Sequence, residues 1–538
     1  MSKYVFVTGG CYSGCGKGIS TSSLALLMKS RGFTVNYLKC DPYLNINAGI
    51  LRPSEHGEVF LCDDGSEVDL DLGSVERQVS ITTSKDNICT SGTIHKELIE
   101  EQTKGDYLGQ TIQLVPHFVN KVIARFEKLG KESDIVFVEI GGTVGDNESF
   151  SFYEAIRQFK QSNYNDVITV MVAPIIWVDT VGEHKTKPMQ NAVRELQKHG
   201  IHPDILLCRS SKEVPDKIID KISRTTGVDK EGLFLASDVR SIYEVPIQFY
   251  NQHIDDFIVD KFHLKRSVCR IHKYKDSVEK YLNEDLPQIN IGIFGKYDGE
   301  EAYLSLKEAI YHAAVSNNVR VNINWIKSEE LENKRDISSY FKDIDGIIIP
   351  GGFDSRGVDG KIKAIRYARE NKIPFLGICL GLQCAVIEFA KNVCKLKNAN
   401  SKEFDKDCEN PVVHYIEGQE DIENKSGTMR LGAYACKLKK GSLTAELYST
   451  RNIEERHRHR LEVNDEYVDK FEDKGFYVVG RNPDSNLIEI MEMDREIHPY
   501  FIGTQAHPEF KSRLLDPAPL FNGLIKEACN YSENRNSK

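Results

Sequence analysis

Short apolar runs of the kind found in buried strands recur along the chain and alternate with longer segments of helical pattern. This alternation is typical of parallel sheets covered by helices on both faces. The pattern stops in one region and then starts again, which predicts an α/β protein with two doubly wound domains. The apolar runs cover residues 4–8, 35–38, 135–140, 167–172 and 205–208 in the first half, and 289–295, 319–323, 346–349 and 374–378 in the second.

The chain has 538 residues, which is enough for two to four domains. Residues 266–287 are strongly charged and lack a strand pattern, so we predict a linker there. The first domain is then expected at residues 1–265 and the second at 288–530. Residues 531–538 are polar, and a disordered tail is predicted for them.

Charge and cysteine content narrow the class of protein. The formal net charge of −10 argues against bulk binding to nucleic acid or an acidic membrane. Thirteen cysteines include no Cys-x-x-Cys pair, which argues against zinc or disulfides and favours a reducing compartment. The chain starts without the apolar run of a signal peptide, and its longest apolar stretch is interrupted by Thr169 and Pro174. We therefore expect a cytoplasmic protein that binds neither membrane nor nucleic acid.

A glycine-rich loop, Thr8-Gly-Gly-Cys-Tyr-Ser-Gly-Cys-Gly-Lys-Gly18, directly follows the first predicted strand. A helical pattern begins at Ile19, so backbone amides, the helix dipole and the Lys17 ammonium would converge on a phosphate group. The loop departs from the Walker pattern, which has Ser or Thr where this chain has Gly18, and a glycine loop without a ligand is the alternative. Its position after the first strand favours a nucleotide site like that of phosphate-loop NTPases.

Two acidic residues are candidates for the magnesium ion that accompanies a nucleoside triphosphate. Glu139 ends a predicted strand, and a carboxylate at that end of a parallel strand faces the ligand crevice of an open α/β sheet. Asp71 lies in the acidic stretch 69–73, where solvated loop acids are the alternative, one that suits Asp69 better. Lys39 closes another strand and offers a second ammonium to phosphate groups.

A second basic segment follows in the first half. Lys185 and Lys187 stand two apart before Pro188, so an extended segment would send both ammonium groups to one side. That arrangement suits a triphosphate, and a charged surface loop is the alternative.

In the second half, Cys379 follows the predicted strand 374–378, and a helix is predicted to begin near Ala385. Gly377 and Gly381 would permit the close backbone approach of a sharp elbow that exposes the thiol at the edge of the sheet. The amides after the turn would form an oxyanion hole, and the helix N-terminus would favour the thiolate.

A base and an orienting carboxylate stand far downstream, in Gln505-Ala-His-Pro-Glu-Phe510. His507 and Glu509 alternate along a segment predicted to be extended. A lone cysteine among apolar residues is often an inert core thiol, which is the alternative. The flanking glycines and the His-Pro-Glu string favour a Cys-His-Glu catalytic triad.

The strings Gly377-Ile-Cys-Leu-Gly381 and His507-Pro-Glu509 resemble those of triad-type glutamine amidotransferases. Together with the first half, residues 3–528 resemble the CTP synthase family. The other motifs that carry this resemblance are Ser13-Gly-Cys-Gly-Lys-Gly18, Lys39-Cys-Asp-Pro-Tyr43, His56-Gly-Glu-Val-Phe60, Asp69-Leu-Asp-Leu-Gly73, Gly105-Asp-Tyr-Leu-Gly109, Val138-Glu-Ile-Gly-Gly-Thr-Val-Gly-Asp146, Lys185-Thr-Lys-Pro188, Pro350-Gly-Gly-Phe353, Gly427-Thr-Met-Arg-Leu-Gly432 and Arg456-His-Arg-His-Arg460.

This resemblance implies a two-site ligase of pyrimidine nucleotide biosynthesis. ATP would phosphorylate O4 of UTP, and ammonia released from L-glutamine at Cys379 would pass inside the protein to C4 and displace the phosphate. The resemblance also implies Mg²⁺ as cofactor, GTP as allosteric activator and CTP as feedback inhibitor. The expected assembly is a homotetramer, with filaments as a further level of assembly.

The resemblance assigns roles residue by residue. Lys39 would assist phosphoryl transfer, and Asp71 and Glu139 would bind Mg²⁺. ATP would contact Gly14, Cys15, Gly16, Lys17, Gly18, Ile19, Asp71, Ser237, Asp238 and Val239. UTP or CTP would contact Ser13, Asp146, Asn147, Glu148, Lys185, Thr186, Lys187, Pro188, Met189, Gln190 and Lys221. Glutamine would contact Gly352, Leu380, Gly381, Leu382, Gln383, Glu403 and Arg460.

Three positions depart from the family pattern. Asn147 stands where the family usually has Ile, in a loop tied to CTP binding. Ser426, directly before the segment 427–432, replaces the customary Gly in a lid that is implicated in GTP activation. Cys15 replaces an aliphatic residue of the phosphate loop, which makes alkylation or oxidation there conceivable.

Two other functions are alternatives. Another phosphate-loop ligase coupled to an amidotransferase, such as the cobyrinic acid amidating enzymes, would hydrolyse ATP without UTP. A scaffold that only assembles into filaments would need neither the triad nor the phosphate loop.

Overall fold

In a computed structural model, the described residues are 2–46, 57–296, 300–352, 355–416 and 429–537. They form two compact units. The first unit contains the described residues up to 46 and 71–278, and the second contains 57–70 and those from 279 onward. The predicted linker contains a helix, His272–Leu282, whose Tyr274 and Val278 are buried. The inclusion of residues 57–70 in the second unit is not apparent from the sequence.

The first unit is built on a sheet of seven parallel strands. All five strands predicted for this half are present. The two added strands are short or lie at an edge of the sheet. In spatial order the strands are Leu233–Ser237, Ile205–Ser210, Val167–Pro174, Lys3–Gly9, Ile135–Ile140, Val35–Asp41 and Ile88–Thr90.

Helices accompany this sheet, and their apolar side chains join those of the strands in an extensive buried core. The antiparallel hairpin of Ile176–Val178 and Glu183–Lys185 stands apart from the main sheet. The helices of this part of the chain are Lys17–Ser30, Leu70–Val79, Ser91–Lys104, Val119–Gly130, Phe150–Ser162, Lys187–Lys198, Asp216–Thr226, Val245–Asn251, Ile254–Lys261 and His272–Leu282.

The second unit has a nine-stranded mixed sheet. Its four predicted strands are confirmed and lie together in a parallel half, which Phe501–Thr504 extends, and the other strands add an antiparallel half. In spatial order the strands are Arg320–Lys327, Gln288–Gly295, Gly346–Ile349, Phe375–Ile378, Phe501–Thr504, Ile488–Met493, Phe476–Arg481, Arg430–Leu438 and Asn452–His459.

Smaller elements complete the second unit. Its helices are Leu304–Ser316, Glu329–Glu332, Val358–Asn371, Leu380–Asn392, Leu443–Tyr448, Val468–Glu472 and Pro519–Asn536. A three-stranded sheet joins Ala399–Ser401, Asn410–Tyr415 and Leu461–Val463, and a hairpin joins Phe60–Leu61 to Glu67–Val68.

The disordered tail predicted for 531–538 is wrong over most of its length, because the last helix continues to Asn536. Tyr531 packs against the apolar core of the second unit. The Arg535 guanidinium lies 3.0 Å from the Asp345 carboxylate, which holds the last helical turns against the sheet. Among the described residues, no helix is both long and apolar enough to cross a membrane.

Candidate active sites

The glycine-rich loop leaves the central strand of the first sheet and ends at the helix Lys17–Ser30. Gly16 precedes this helix with a φ of 90°, which glycine adopts without a steric penalty. The Lys17 side chain folds back over the end of the strand. It lies so close to Gly9 that a methyl group there would be 2.6 Å from the Lys17 Cδ. The Lys17 ammonium donates to the Gly142 carbonyl over 2.7 Å. A helix N-terminus beside a fixed ammonium suits a phosphate group.

A charged cluster of Lys39, Glu139 and Asp71 lies at the same end of the sheet. Lys39 and Glu139 are register partners on neighbouring strands, and Asp71 lies in the first turn of the helix Leu70–Val79. The Lys39 ammonium is 2.6 Å from the Asp71 Oδ2 and 2.8 Å from the Glu139 Oε1. Glu139 is buried and accepts a hydrogen bond from Tyr37, whereas the Asp71 side chain is 41% exposed. One side of the cluster is therefore open to a ligand.

The electrostatics of this cluster favour its charged state. Burial lowers the pKa of Lys39, but the Glu139 and Asp71 carboxylates outweigh burial and raise that pKa well above its ordinary value. Lys39 in turn lowers the pKa of Asp71. The Asp71 and Glu139 carboxylates, which here flank the Lys39 ammonium, also suit Mg²⁺. This ion is usually bound by one or two carboxylates together with substrate phosphates.

The same cluster explains the departure from the Walker pattern at Gly18. A methyl group on Gly18 would lie 3.3 Å from the Glu139 Oε2, so the carboxylate occupies the space that a Ser or Thr side chain would take. Cys15 in this loop is buried, and burial raises the pKa of its thiol. A raised pKa disfavours the thiolate, which is the form that alkylation or oxidation of Cys15 would require.

A cavity of about 290 Å³ adjoins the phosphate loop. Gly14, Gly16 and Ile19 line it on the loop side, and Asp238 and Val239 line it after the edge strand of the sheet. Arg209 also lines the cavity and pairs with Asp238 at 2.6 Å. Ser237 ends the edge strand, and its carbonyl accepts a hydrogen bond from Arg209 at 3.4 Å. The cavity thus brings together the loop and two residues, Asp238 and Val239, of the one later segment predicted to contact ATP.

The basic segment predicted to bind a triphosphate is not a single extended stretch. Lys185 ends a short strand and pairs with Glu183 at 2.6 Å, whereas Lys187 begins the helix Lys187–Lys198. Proline at the second helical position favours this early start, because its fixed φ suits the first turn. The expectation that both ammonium groups point to one side of an extended segment is therefore wrong.

The remaining candidates for binding UTP or CTP differ in the solvent exposure of their side chains. Met189 and Gln190 are buried in the helix, and Gln190 donates to the Thr186 Oγ1 over 2.9 Å, so their side chains serve the fold. Pro188 is half-buried in the first turn of that helix. The exposed candidates are Ser13, Asp146, Asn147, Glu148, Lys185, Lys187 and Lys221.

In the second unit, Cys379 stands at an elbow between the strand Phe375–Ile378 and the helix Leu380–Asn392. Its φ of 52° and ψ of −103° are unusual for a residue with a side chain. The Cys379 amide donates to the Thr504 carbonyl over 2.7 Å, which fixes this conformation. The elbow needs glycine at Gly381, because a methyl group there would lie 2.2 Å from the Ile349 carbonyl oxygen. The helix starts directly after the thiol rather than near Ala385.

His507 and Glu509 lie together beside this thiol. The His507 Nδ1 is 2.7 Å from the Glu509 Oε1. The segment is a 3₁₀ turn, Pro508–Lys511, with His507 at its start, so the predicted extended conformation is wrong. A methyl group on Gly351 would lie 2.7 Å from the His507 Cε1 and 3.5 Å from the Cys379 Cβ, so this glycine backbone borders the catalytic pair.

The triad is arranged to hold a charged imidazole. Burial lowers the pKa of His507, but the Glu509 carboxylate and the Cys379 sulfur outweigh burial and raise that pKa to about 10. An imidazolium beside a cysteine favours the thiolate, which is the nucleophilic form. In this geometry the Cys379 sulfur can attack a carbonyl carbon, and the His507 imidazolium can protonate a leaving nitrogen.

Two oppositely charged side chains lie near the elbow. Glu403 and Arg460 are both half-buried, and both act electrostatically on the Tyr415 hydroxyl. The Arg460 Nε is buried and has no hydrogen-bond partner within the described part of the chain. A cation and a carboxylate together suit the α-carboxylate and α-ammonium groups of an amino acid.

Residues 3–264 match the family model described as the CTP synthase N-terminus, and 300–527 match the class-I glutamine amidotransferase model. A CTP synthase of Methanococcus maripaludis is 50% identical over 97% of this chain and 99% of that protein. The chain belongs to the CTP synthase family. The CTP synthase of Caldanaerobacter subterraneus is 44% identical over 99% of both chains. The glutaminase domain of a Trypanosoma brucei CTPS, solved with bound acivicin, is 36% identical and covers 45% of this chain and 94% of that one, with a TM-score of 0.42.

Several residues predicted to bind glutamine in this CTP synthase family member support the elbow with their side chains. Leu380 and Leu382 belong to the hydrophobic core. Gln383 is buried and donates to the Leu461 carbonyl and to the Gln505 Oε1. Gly352 lies beside Leu380, since a methyl group on it would be 3.6 Å from that side chain.

Two residues of this site escaped the sequence analysis. Gln505 is buried, and its Nε2 lies 3.5 Å from the Cys379 Sγ. Gly351 borders the catalytic pair, although Gly352 was the predicted contact. The signal for each was present, because Gln505 opens the His-Pro-Glu motif and Gly351 immediately follows a strand and a proline. Phe353 and Ser426 lie outside the described residues.

Proposed function

We propose that this chain makes CTP from UTP by dividing the reaction between the two sites described above. As a member of its family it takes ATP, UTP and glutamine as substrates and is a glutamine-dependent ligase of pyrimidine biosynthesis. The observation that carries the division is that one chain holds both a Cys-His-Glu triad and a phosphate loop with a Lys-Asp-Glu cluster. A triad alone would only hydrolyse glutamine, and a phosphate loop alone would have no nitrogen donor.

In the second unit, the Cys379 thiolate attacks the side-chain amide carbon of glutamine. The carbon–nitrogen bond breaks as His507 protonates the leaving nitrogen, and Glu509 keeps the imidazole oriented. Water then attacks the glutamyl thioester and releases glutamate. Backbone amides at the start of the helix Leu380–Asn392 and near Gly351 are the candidate donors to the oxyanion. Arg460 and Glu403 hold the α-carboxylate and α-ammonium groups.

In the first unit, O4 of UTP attacks the γ-phosphorus of ATP and ADP leaves. Lys17 binds the phosphates, and Lys39 neutralises charge that develops during transfer. Asp71 and Glu139 are the residues that would hold Mg²⁺, which would neutralise phosphate charge when bound. Ammonia attacks C4 of the phosphorylated pyrimidine, and inorganic phosphate departs.

Nucleotide contacts and regulation belong to the same proposal. Asp238 and Val239 surround the adenine, while the exposed candidates from Ser13 to Lys221 bind UTP or the inhibitor CTP. GTP activates the glutaminase, Asn147 weakens inhibition by CTP, and the active form is a cytoplasmic homotetramer able to form filaments. Comparing GTP activation of the chain with that of Ser426→Gly tests the lid, and a stronger response of the variant is expected.

The central test follows CTP formation by absorbance while UTP, ATP, Mg²⁺ and glutamine are omitted in turn. We expect no product without UTP, ATP or Mg²⁺, and we expect ammonium chloride to replace glutamine. ATP hydrolysis should depend on UTP. Hydrolysis that is equally fast without UTP would contradict the proposal and indicate another amidotransferase-coupled ligase.

A further inference from the structure

A short hairpin from early in the sequence is built into the second unit. Its strands are Phe60–Leu61 and Glu67–Val68, and the described residues 57–70 belong to that unit. The Ala433 amide donates to the Asp63 carbonyl over 2.8 Å, which joins the hairpin to the strand Arg430–Leu438.

Two glycines permit this close contact. Gly432 has a φ of 102°, and a methyl group on it would lie 2.7 Å from the Asp63 carbonyl oxygen. A methyl group on Gly65 would lie 2.9 Å from the Leu431 carbonyl oxygen. The two backbones therefore meet at a distance that side chains would prevent on either side.

The hairpin carries two carboxylates that pair with arginines of the strand Asn452–His459. The Asp63 Oδ1 lies 2.5 Å from the Arg456 Nε, and the Glu67 Oε1 lies 2.7 Å from an Arg458 guanidinium nitrogen. Arg456 is 1% exposed, and its charge outweighs the effect of burial and lowers the pKa of Asp63. Loss of Asp63 or Glu67 would remove a counter-charge from Arg456, which is 1% exposed, or from Arg458, which is 22% exposed.

The same two arginines touch the catalytic residues through their backbones. The Arg456 carbonyl accepts the His507 amide over 2.8 Å, and the Arg458 carbonyl lies 3.8 Å from the Cys379 Sγ. A chain of rings adds a second link, because Phe60 packs edge-on against Phe510, which stacks on His507. The side chains of Arg456 and Arg458 thus pair with the hairpin while their carbonyls face His507 and Cys379.

We propose that Asp63 and Glu67 are positioning residues of the glutaminase site. By pairing with Arg456 and Arg458 they fix the strand whose carbonyls set the places of His507 and Cys379. Neither carboxylate contacts the glutamine. This inference rests on the proposed glutaminase activity of the triad and adds to it a requirement for residues that lie more than 300 positions earlier in the chain.

The test uses the full chain with Asp63→Asn and Glu67→Gln, which remove charge and keep shape. A misplacement of about 1 Å can cost about 100-fold in rate, so we expect kcat for glutamine hydrolysis to fall about 10- to 100-fold with KM changed less than about twofold. The ratio of glutamine-dependent to ammonia-dependent CTP synthesis should fall equally. Glu67→Asp, which keeps the charge, should recover part of the loss.

A second readout separates positioning from a merely structural role. The rate at which a glutamine-like electrophile alkylates Cys379 should fall in both variants, and its pH profile should shift because His507 moves relative to the thiol. Asp465→Asn is the matched control, since it removes an aspartate–arginine pair with Arg481 on the same sheet, 2.6 Å long. This control should leave both the alkylation profile and kcat unchanged.

The outcomes are distinguishable. Wild-type kcat and an unchanged alkylation profile in Glu67→Gln would overturn the positioning role. A wild-type chain that cannot hydrolyse glutamine, or a Cys379→Ala variant that still can, would instead overturn the proposed function. If Asp63→Asn fails to fold because Arg456 is so deeply buried, Glu67→Gln decides the matter, because its partner Arg458 is 22% exposed.

Discussion

Replacing Glu509 by Gln removes the negative charge that orients His507 and keeps the size of the side chain. The pKa of His507 is raised from 6.5 to about 10, and Glu509 is the largest of the causes that raise it. At about 1.4 kcal/mol for each pH unit, the net difference corresponds to roughly 5 kcal/mol, which remains after Glu509 and Cys379 have outweighed the opposing effect of burial. A single opposite charge typically shifts a pKa by about 1–3. We therefore expect the His507 pKa of the variant to fall by about that amount, because burial then opposes the charged ring with less compensation.

The assay is the pH dependence of glutamine hydrolysis, taken as kcat/KM. In the wild type, His507 remains protonated up to about pH 10, so activity should not decline until pH rises through that value. In Glu509→Gln the decline should begin about 1–3 pH units lower, and the maximum should be about 100- to 10,000-fold smaller, as for other triads that lose their carboxylate.

The pH dependence of stability tests the direction of the His507 pKa shift independently. A raised folded-state pKa stabilises the fold fully below pH 6.5, and this contribution is lost as pH rises through about 10. The thermal midpoint of Glu509→Gln should thus lie below that of the wild type near pH 6, and the gap should close towards pH 10. Glu509→Asp, which retains the charge, should show a smaller effect. An unchanged alkaline limb in Glu509→Gln would refute this electrostatic account of the triad.

Three further variants test the two sites separately. Cys379→Ala should abolish CTP synthesis from glutamine while synthesis from ammonia stays near the wild-type rate, and equal loss with both donors would contradict the two-site division. Lys17→Ala should lower synthesis from either donor about 100-fold, since it removes a charge from the phosphate cradle, whereas alkylation of Cys379 should persist; an active variant with ammonia would exclude Lys17 from the ATP site. Gly381→Ala should destabilise the fold by about 1–3 kcal/mol or more, because its methyl would lie 2.2 Å from the backbone oxygen of Ile349. Gly292→Ala is the control, since its methyl would meet only side chains. Equal thermal midpoints for the two variants would contradict the elbow packing.

Nine of the parallel strands could be predicted because they contain a short, mostly apolar run, as in 135–140. The elbow could also be predicted, since Gly377 and Gly381 each lie two residues from Cys379. The start of the helix after Cys379 was missed because Gly381, a poor helix former, lies in its first turn. The prediction of a disordered tail at 531–538 rests on polar composition. That composition does not reveal the pairing of Arg535 with Asp345.

The hairpin at 57–70 marks the limit of prediction from sequence. Its composition is acidic and its strands have two residues each, so no periodic pattern distinguishes it. What fixes it is an ion pair between Asp63 and Arg456, which are 393 positions apart. Contacts of that separation leave no local trace in the sequence. Within the basic string 456–460, Arg456 and Arg458 have acidic partners in this hairpin.

This separation also has a consequence for the order in which the protein is made. At about 5–20 residues per second, roughly 20–80 s pass between synthesis of the hairpin and synthesis of Arg456. During that time the first sheet can form, while Phe60, buried in the finished protein against Phe510, still lacks that contact on the ribosome. The second unit can close only after nearly the whole chain has emerged. A nascent chain stalled before Phe510 should therefore expose Phe60 to chaperones.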